Sequence, residues 1–282
     1  MALRTMRSGV RAAAWLGWQI ESNWADTLTF VVYSVLRPLG TALILAGMYW
    51  AVAGRGAGGA VFAAFYVANA FHEYLVRVLI GMGWAVVEER EEYEMLRYIY
   101  TSPMGLRTYL TGRSAMKFLL ASVSVLLILT TGWFLLGVRW DWSAVRWLPL
   151  LLAFGLGLIA TIFVGYLLAG WTLVLPRAAV NINEGAGVAF YLLCGVIFPI
   201  DLMPRVMQWI ALALPFTYWY EALRRFLLGH GASAMLSRWS DAQLLSALAL
   251  GTAAIVVVST WGFHALERKA RREGKLDMTT WF

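Results

Sequence analysis

Long, predominantly apolar runs limit this chain more than any other feature, because several exceed the 18 or so residues needed to cross about 30 Å of hydrocarbon. Lipid offers a crossing backbone no hydrogen bonds, so each run has to be a helix. They fall at 28–50, 60–87, 114–136, 148–175, 181–200 and 242–264, which predicts an all-α polytopic membrane protein with six transmembrane helices in a single domain, 1–282. With 61% hydrophobic and 14% charged residues and a mean hydropathy of +0.67, a soluble domain is excluded. The single cysteine, Cys194, lies in an apolar run, so no disulfide framework is available. The three histidines are too few and too scattered for a metal site.

The charged segments between the runs carry the functional information. Residues 88–103 read EEREEYEMLRYIYTSP, and five of the first seven are acidic. As a helix, this stretch places Tyr93, Leu96, Ile99 and Tyr100 on one side, while Glu88, Glu91, Glu92 and Glu94 leave the rest polar. Ser102-Pro103 ends it, since proline disfavours a helical residue before it and supplies no donor. The expectation is an amphipathic surface helix; a solvated charged loop is the competing reading. At the amino terminus, 1–27 reads as an amphipathic interface helix with Arg4, Arg7 and Arg11 on one face. A cleaved leader is disfavoured by Gln19, Glu21, Asn23 and Asp26, which break the apolar stretch.

Within the second run, Tyr66, Asn69, Glu73 and Arg77 recur at three- and four-residue steps and form a polar stripe that cannot face lipid. It reads either as part of a translocation path or as a buried structural cluster around a Glu73–Arg77 pair. Arg37-Pro38 inside the first run is costly unless the arginine snorkels or finds a partner. Before the last run, 202–228 holds two apolar-rich pieces divided at Pro215, each too short to cross. They predict a re-entrant helical hairpin, with an amphipathic loop on the surface as the alternative. The tail, 265–282, is basic.

Lysine and arginine outnumber on the side that carries both termini and the acidic segment, so both termini are expected in the cytoplasm of a multi-pass protein of the cell's inner (plasma) membrane. The net charge of +7 sits near membrane boundaries, where lipid accounts for it, and no nucleic-acid partner is expected.

Taken in order, these features resemble the membrane (permease) subunit of six-helix type 2 ABC exporters. The resemblance rests on the amino-terminal helix, on EEREEYEMLRYIYTSPMGLRTYLTGR, and on CGVIFPIDLMPRVMQWIALALPFTYWYEALRRFLLG. In the last of these, Gly195 with Phe198-Pro199, then Trp209, Pro215-Phe216-Thr217-Tyr218 and Glu221-Ala222-Leu223-Arg224 follow the family's pattern. Nearly the whole chain is covered. The resemblance implies that 88–103 is a coupling helix whose Glu88, Glu91, Glu92, Glu94, Leu96, Arg97 and Ile99 meet a cytoplasmic P-loop ATPase. It implies an outer re-entrant gate built from Phe198, Pro199, Trp209, Pro215, Tyr218, Glu221 and Arg224, and a dimer with a second permease copy or close relative.

The chain has no G-x-x-x-x-G-K-[ST], so it is expected to bind no cofactor itself, ATP and Mg residing on the partner. The expected function is ATP-driven export of an amphipathic or hydrophobic substrate, a drug-like molecule or lipid; a lipid-linked glycan or polysaccharide is the alternative cargo. An ion-gradient-driven secondary transporter is a further alternative, although no inverted repeat and no second acidic group for a relay within a span are apparent. An intramembrane enzyme is disfavoured, because neither H-E-x-x-H nor G-x-S-x-G occurs.

Overall fold

The computed structural model describes residues 2–23, 26–53 and 59–278. Every described element is helical. Helix α1 is Ala2–Asn23 and α2 is Thr27–Ala53; α3, Ala60–Tyr74, continues through a π-helical segment, Leu75–Ile80, into α4, Gly81–Glu91. Then come α5 (Leu96–Thr101), α6 (Gly105–Leu135), α7 (Trp147–Val174), α8 (Ala179–Leu193), α9 (Arg205–Ala213), α10 (Pro215–Leu228), α11 (Ala234–Ser237) and α12 (Asp241–Arg272). Among the described residues, 5 helical stretches are long and apolar enough to span: Leu28–Ala51, Ala60–Glu91, Gly105–Leu135, Trp147–Val174 and Asp241–Arg272. Most of the glycine-rich turn at 54–59 and the side chains of Arg4 and Arg7 lie outside the described residues.

The bundle is organised on α7 and α12. The Ser259 hydroxyl donates to the Phe163 carbonyl and that of Thr252 to the Leu156 carbonyl at 3.4 Å, both pairs 96 residues apart, while Gly170 lies under Leu266. A constant offset means that the two helices run parallel. The chain between them has to return from one end of the bundle to the other, and α8 begins that return. Its 15 residues extend about 22 Å, short of a full crossing. The helix expected over 181–200 therefore stops at Leu193, where the chain turns and Gly195 takes a φ of 72° that only glycine adopts freely.

The expected hairpin over 202–228 is two unlike helices. Helix α9 is exposed, with Trp209 78% and Val206 73% accessible. Helix α10 is enclosed by α3, α7 and α12 and buries Phe216, Trp219, Tyr220, Leu223 and Phe226. Pro215 at its first turn and Gly229 just beyond its end, at φ 83°, set its limits. It enters so closely because Gly157 of α7 has no side chain: a Cβ there would fall within the Trp219 indole. We expect Gly157→Ala to cost about 1–3 kcal/mol by overpacking. Thermal melts in detergent should show that loss, and Trp219→Phe in the same chain should return part of it.

Helix α1 packs parallel to the first half of α6 through small residues, with Gly9 against Met104, Ala13 against Gly112 and Gly17 against Arg113. Arg11 and Trp15 stay on its exposed side. At its end Glu21 accepts a bond from the Lys117 ammonium at 2.5 Å. Burial pushes the Glu21 carboxyl up, yet the ammonium outweighs it and holds the group below its ordinary range. That tie is therefore present above the usual carboxylate range and is lost only as pH falls through the lowered value.

Candidate functional site

The acidic segment is not one helix. Helix α4 carries the second span on to Glu91, a turn follows in which Glu94 takes a φ of 50°, and α5 restarts at Leu96. Because α6, α7 and α8 surround α4, the first acidic residues are turned inward and paired. Glu88 bonds the Arg113 guanidinium, and Glu89 accepts from the Tyr109 hydroxyl and lies 3.9 Å from Arg113. Arg90 donates to Glu91 at 2.9 Å and to the Thr172 carbonyl at 3.1 Å. Glu88 and Glu91 are thus engaged by bundle residues, and in place of the one amphipathic surface helix expected over 88–103 stand a helix end, a turn and a short second helix.

What remains exposed is a compact face: Glu92, Tyr93, Glu94, Met95, Arg97 and Tyr98. Leu96 and Ile99 point the other way, into a cluster with Leu106, Tyr109, Val174 and Ala270. The Arg271 guanidinium covers the inner Tyr100 ring at 4.6 Å, and burial raises that phenol above its ordinary range. Ser102 closes α5 by donating to the Ile99 carbonyl at 2.8 Å. The face is held firmly from beneath.

A polar groove opens at membrane depth between α2 and α8, with the π-helical segment as its floor. It comprises two adjoining cavities of about 490 and 260 Å³ that share Arg37, Val76, Arg77, Ile80 and Glu184. Small-molecule sites commonly occupy about 300–1,000 Å³. The larger cavity reaches Glu21, Trp84, Glu88 and Lys117, and the smaller reaches Asn69, His72, Glu73 and Tyr191. Glu73 and Arg77 pair at 3.2 Å. Tyr191 donates to Asn69 at 2.8 Å, and His72 meets the Tyr220 hydroxyl at 2.8 Å.

Of the expected stripe, Asn69, Glu73 and Arg77 line this groove, whereas Tyr66 does not. Helix α6 crosses α3 at that height, so the Tyr66 ring lies over Gly132 and its hydroxyl donates to the Ile128 carbonyl at 2.7 Å. Sequence reasoning passed over Glu184, a second carboxylate in the membrane region, although its place inside an apolar run was the signal. Glu21 was read only as a break in the amino-terminal apolar stretch; its pairing with Lys117 across 96 positions has no local signature.

The expected outer gate residues are dispersed. Trp209 is exposed on α9, Phe198 and Pro199 are half-buried, and Pro215 begins α10. Tyr218 donates to the Leu212 carbonyl at 2.7 Å, whereas Glu221 and Arg224 are buried and pair at 3.7 Å. Glu221 also accepts from the Ala232 and Ser233 amides, so both charged members act as ties inside the bundle.

A helical membrane bundle with an exposed loop braced at one end and a polar groove at membrane depth defines a multi-pass transport protein. The family model of the ABC-2 type transporter matches residues 11–228, and the chain belongs to that family. It is the membrane permease component of an ABC transporter and is not itself catalytic. A comparison with curated proteins returns no match.

Proposed function

We propose that this permease exports an amphipathic or hydrophobic substrate, a drug-like molecule or lipid, when a separate P-loop ATPase docks on the face formed by Glu92 to Tyr98. The bracing of that face supports the reading. Movement imposed on Glu92–Tyr98 passes directly to α4, α6 and α12 through buried contacts rather than dissipating in a loop. ATP and Mg are held by the partner. The acidic end, with both termini, faces the cytoplasm of the plasma membrane, and a second permease copy completes the translocation path. A lipid-linked glycan is the second cargo class.

Docking is tested by Glu92→Arg together with Glu94→Arg, two exposed residues whose reversal leaves the internal pairs of Glu88 and Glu91 intact. Affinity-tagged protein from its own host is expected to co-purify with an ATPase subunit that the reversed protein loses, while its melting temperature stays within a degree or so of the parent. Equal recovery of the ATPase on both proteins would remove those carboxylates from the contact.

A further inference from the structure

One charge in the groove stands without a counterpart. Arg77 has Glu73, Lys117 has Glu21, Glu88 has Arg113, and Arg37 is engaged as well. Among the described residues, Glu184 alone of the groove's charged groups has no ionic or hydrogen-bonding partner. Glu184 is exposed to the groove, while its neighbour Asn183 is buried beside Gly83, about 12 Å of helix from Glu91. A carboxylate in a groove of a membrane bundle is costly unless a cation meets it.

The smaller cavity offers a second open group. Asn69 is 3% exposed; its Oδ1 accepts from Tyr191, and its Nδ2 has no acceptor. A buried amide donor left unsatisfied is costly, and an oxygen on a ligand would relieve it. The helices that flank the groove are apolar and exposed, at Leu43 and Ile44 on α2 and, on α8, at Val188 on the groove's wall and Leu192 beyond it.

We propose that the groove binds the head of an amphiphile bearing both an ammonium and an oxygen acceptor, with Glu184 as counter-ion, Asn69 as donor and the tail along α2 and α8. As a statement about cargo, this rests on the exporter reading above; as a statement about binding, it does not. Two sources share the chemistry: an aminophospholipid and a free long-chain amino alcohol.

The test uses the full chain in nanodiscs of phosphatidylglycerol, which carries no amine. Radiolabelled N-dodecylethanolamine and lysophosphatidylethanolamine are titrated, with dodecyl phosphate as competitor. At least one amine is expected to bind saturably, and the tighter of the two identifies the source. Glu184→Gln should weaken it by about tenfold or more, the loss of one charge-assisted hydrogen bond, at an unchanged melting temperature. Asn69→Leu should weaken it less. Effective competition by dodecyl phosphate, or equal amine affinity in Glu184→Gln, overturns the assignment. So does an absence of amine binding accompanied by a changed oligomeric state in Glu184→Gln, which would give Glu184 a partner in a second copy. Amine binding that persists without altering the activity of a co-purified ATPase would instead count against the exporter reading alone.

Discussion

Arg224→Met is expected to yield little folded protein. The Arg224 guanidinium is buried where α10 meets α3 and the turn after α8. It donates to the carbonyls of Ala64 at 2.8 Å and Gly195 at 2.5 Å, pairs with Glu221 and lies over the Phe65 ring at 5.1 Å. Methionine fills similar space but leaves the buried Glu221 carboxylate without its cation and takes the guanidinium donor from two carbonyls. Breaking one side of a buried pair costs about 3–5 kcal/mol, a large part of the roughly 5–15 kcal/mol that stabilises a typical domain. Yield of monodisperse protein on size exclusion, followed by thermal melting, measures the effect. A melt like that of the parent would show that α10 is held by its aromatic packing alone.

Arg113→Met should be nearly as severe and more informative. It removes the cation that Glu88 bonds and Glu89 approaches, leaving two carboxylates close together with Tyr109 as their nearest donor. A loss of about 3–5 kcal/mol is again expected, and Glu89→Gln in the same chain should restore part of it by removing one of the uncompensated charges. The rescued double variant separates two roles. If the cluster transmits movement from the exposed face to α6, transport stays low although the protein melts normally. Full recovery of both stability and transport would make the cluster a structural tie only.

Much of this architecture was readable because its causes are local. Apolar length marks the long helices, Pro215 and Gly229 bound α10, and the Glu73–Arg77 pair is a four-residue step along one helix. What was not readable depends on partners far away in sequence. The acidic run looked like a solvated face until Arg113 and Tyr109, one turn apart on α6, claimed Glu88 and Glu89. Likewise nothing local distinguishes Gly157, which admits an indole from α10, from Gly155, which has no neighbour within 4 Å, or from Gly165 and Gly170, which lie against Met82 and Leu266. Helix α8 was overestimated for a different reason: the apolar residues after Leu193 continue the hydropathy but belong to a turn. Glu184 was within reach, since a lone carboxylate in such a run invites the question of what neutralises it.

The π-helical segment at Leu75–Ile80 has one more effect on the second span. Each α-helical residue turns the chain by about 100°, and a π-turn accommodates roughly one residue more than an α-turn. The segment therefore sets the angular phase between the half bearing Asn69 and Glu73 and the half bearing Glu88 to Glu91. With a uniform α-helix, one set would face its partners only while the other was rotated away from them. The groove and the acidic end are thus keyed to each other by a local change in winding, as two cams are keyed on one shaft.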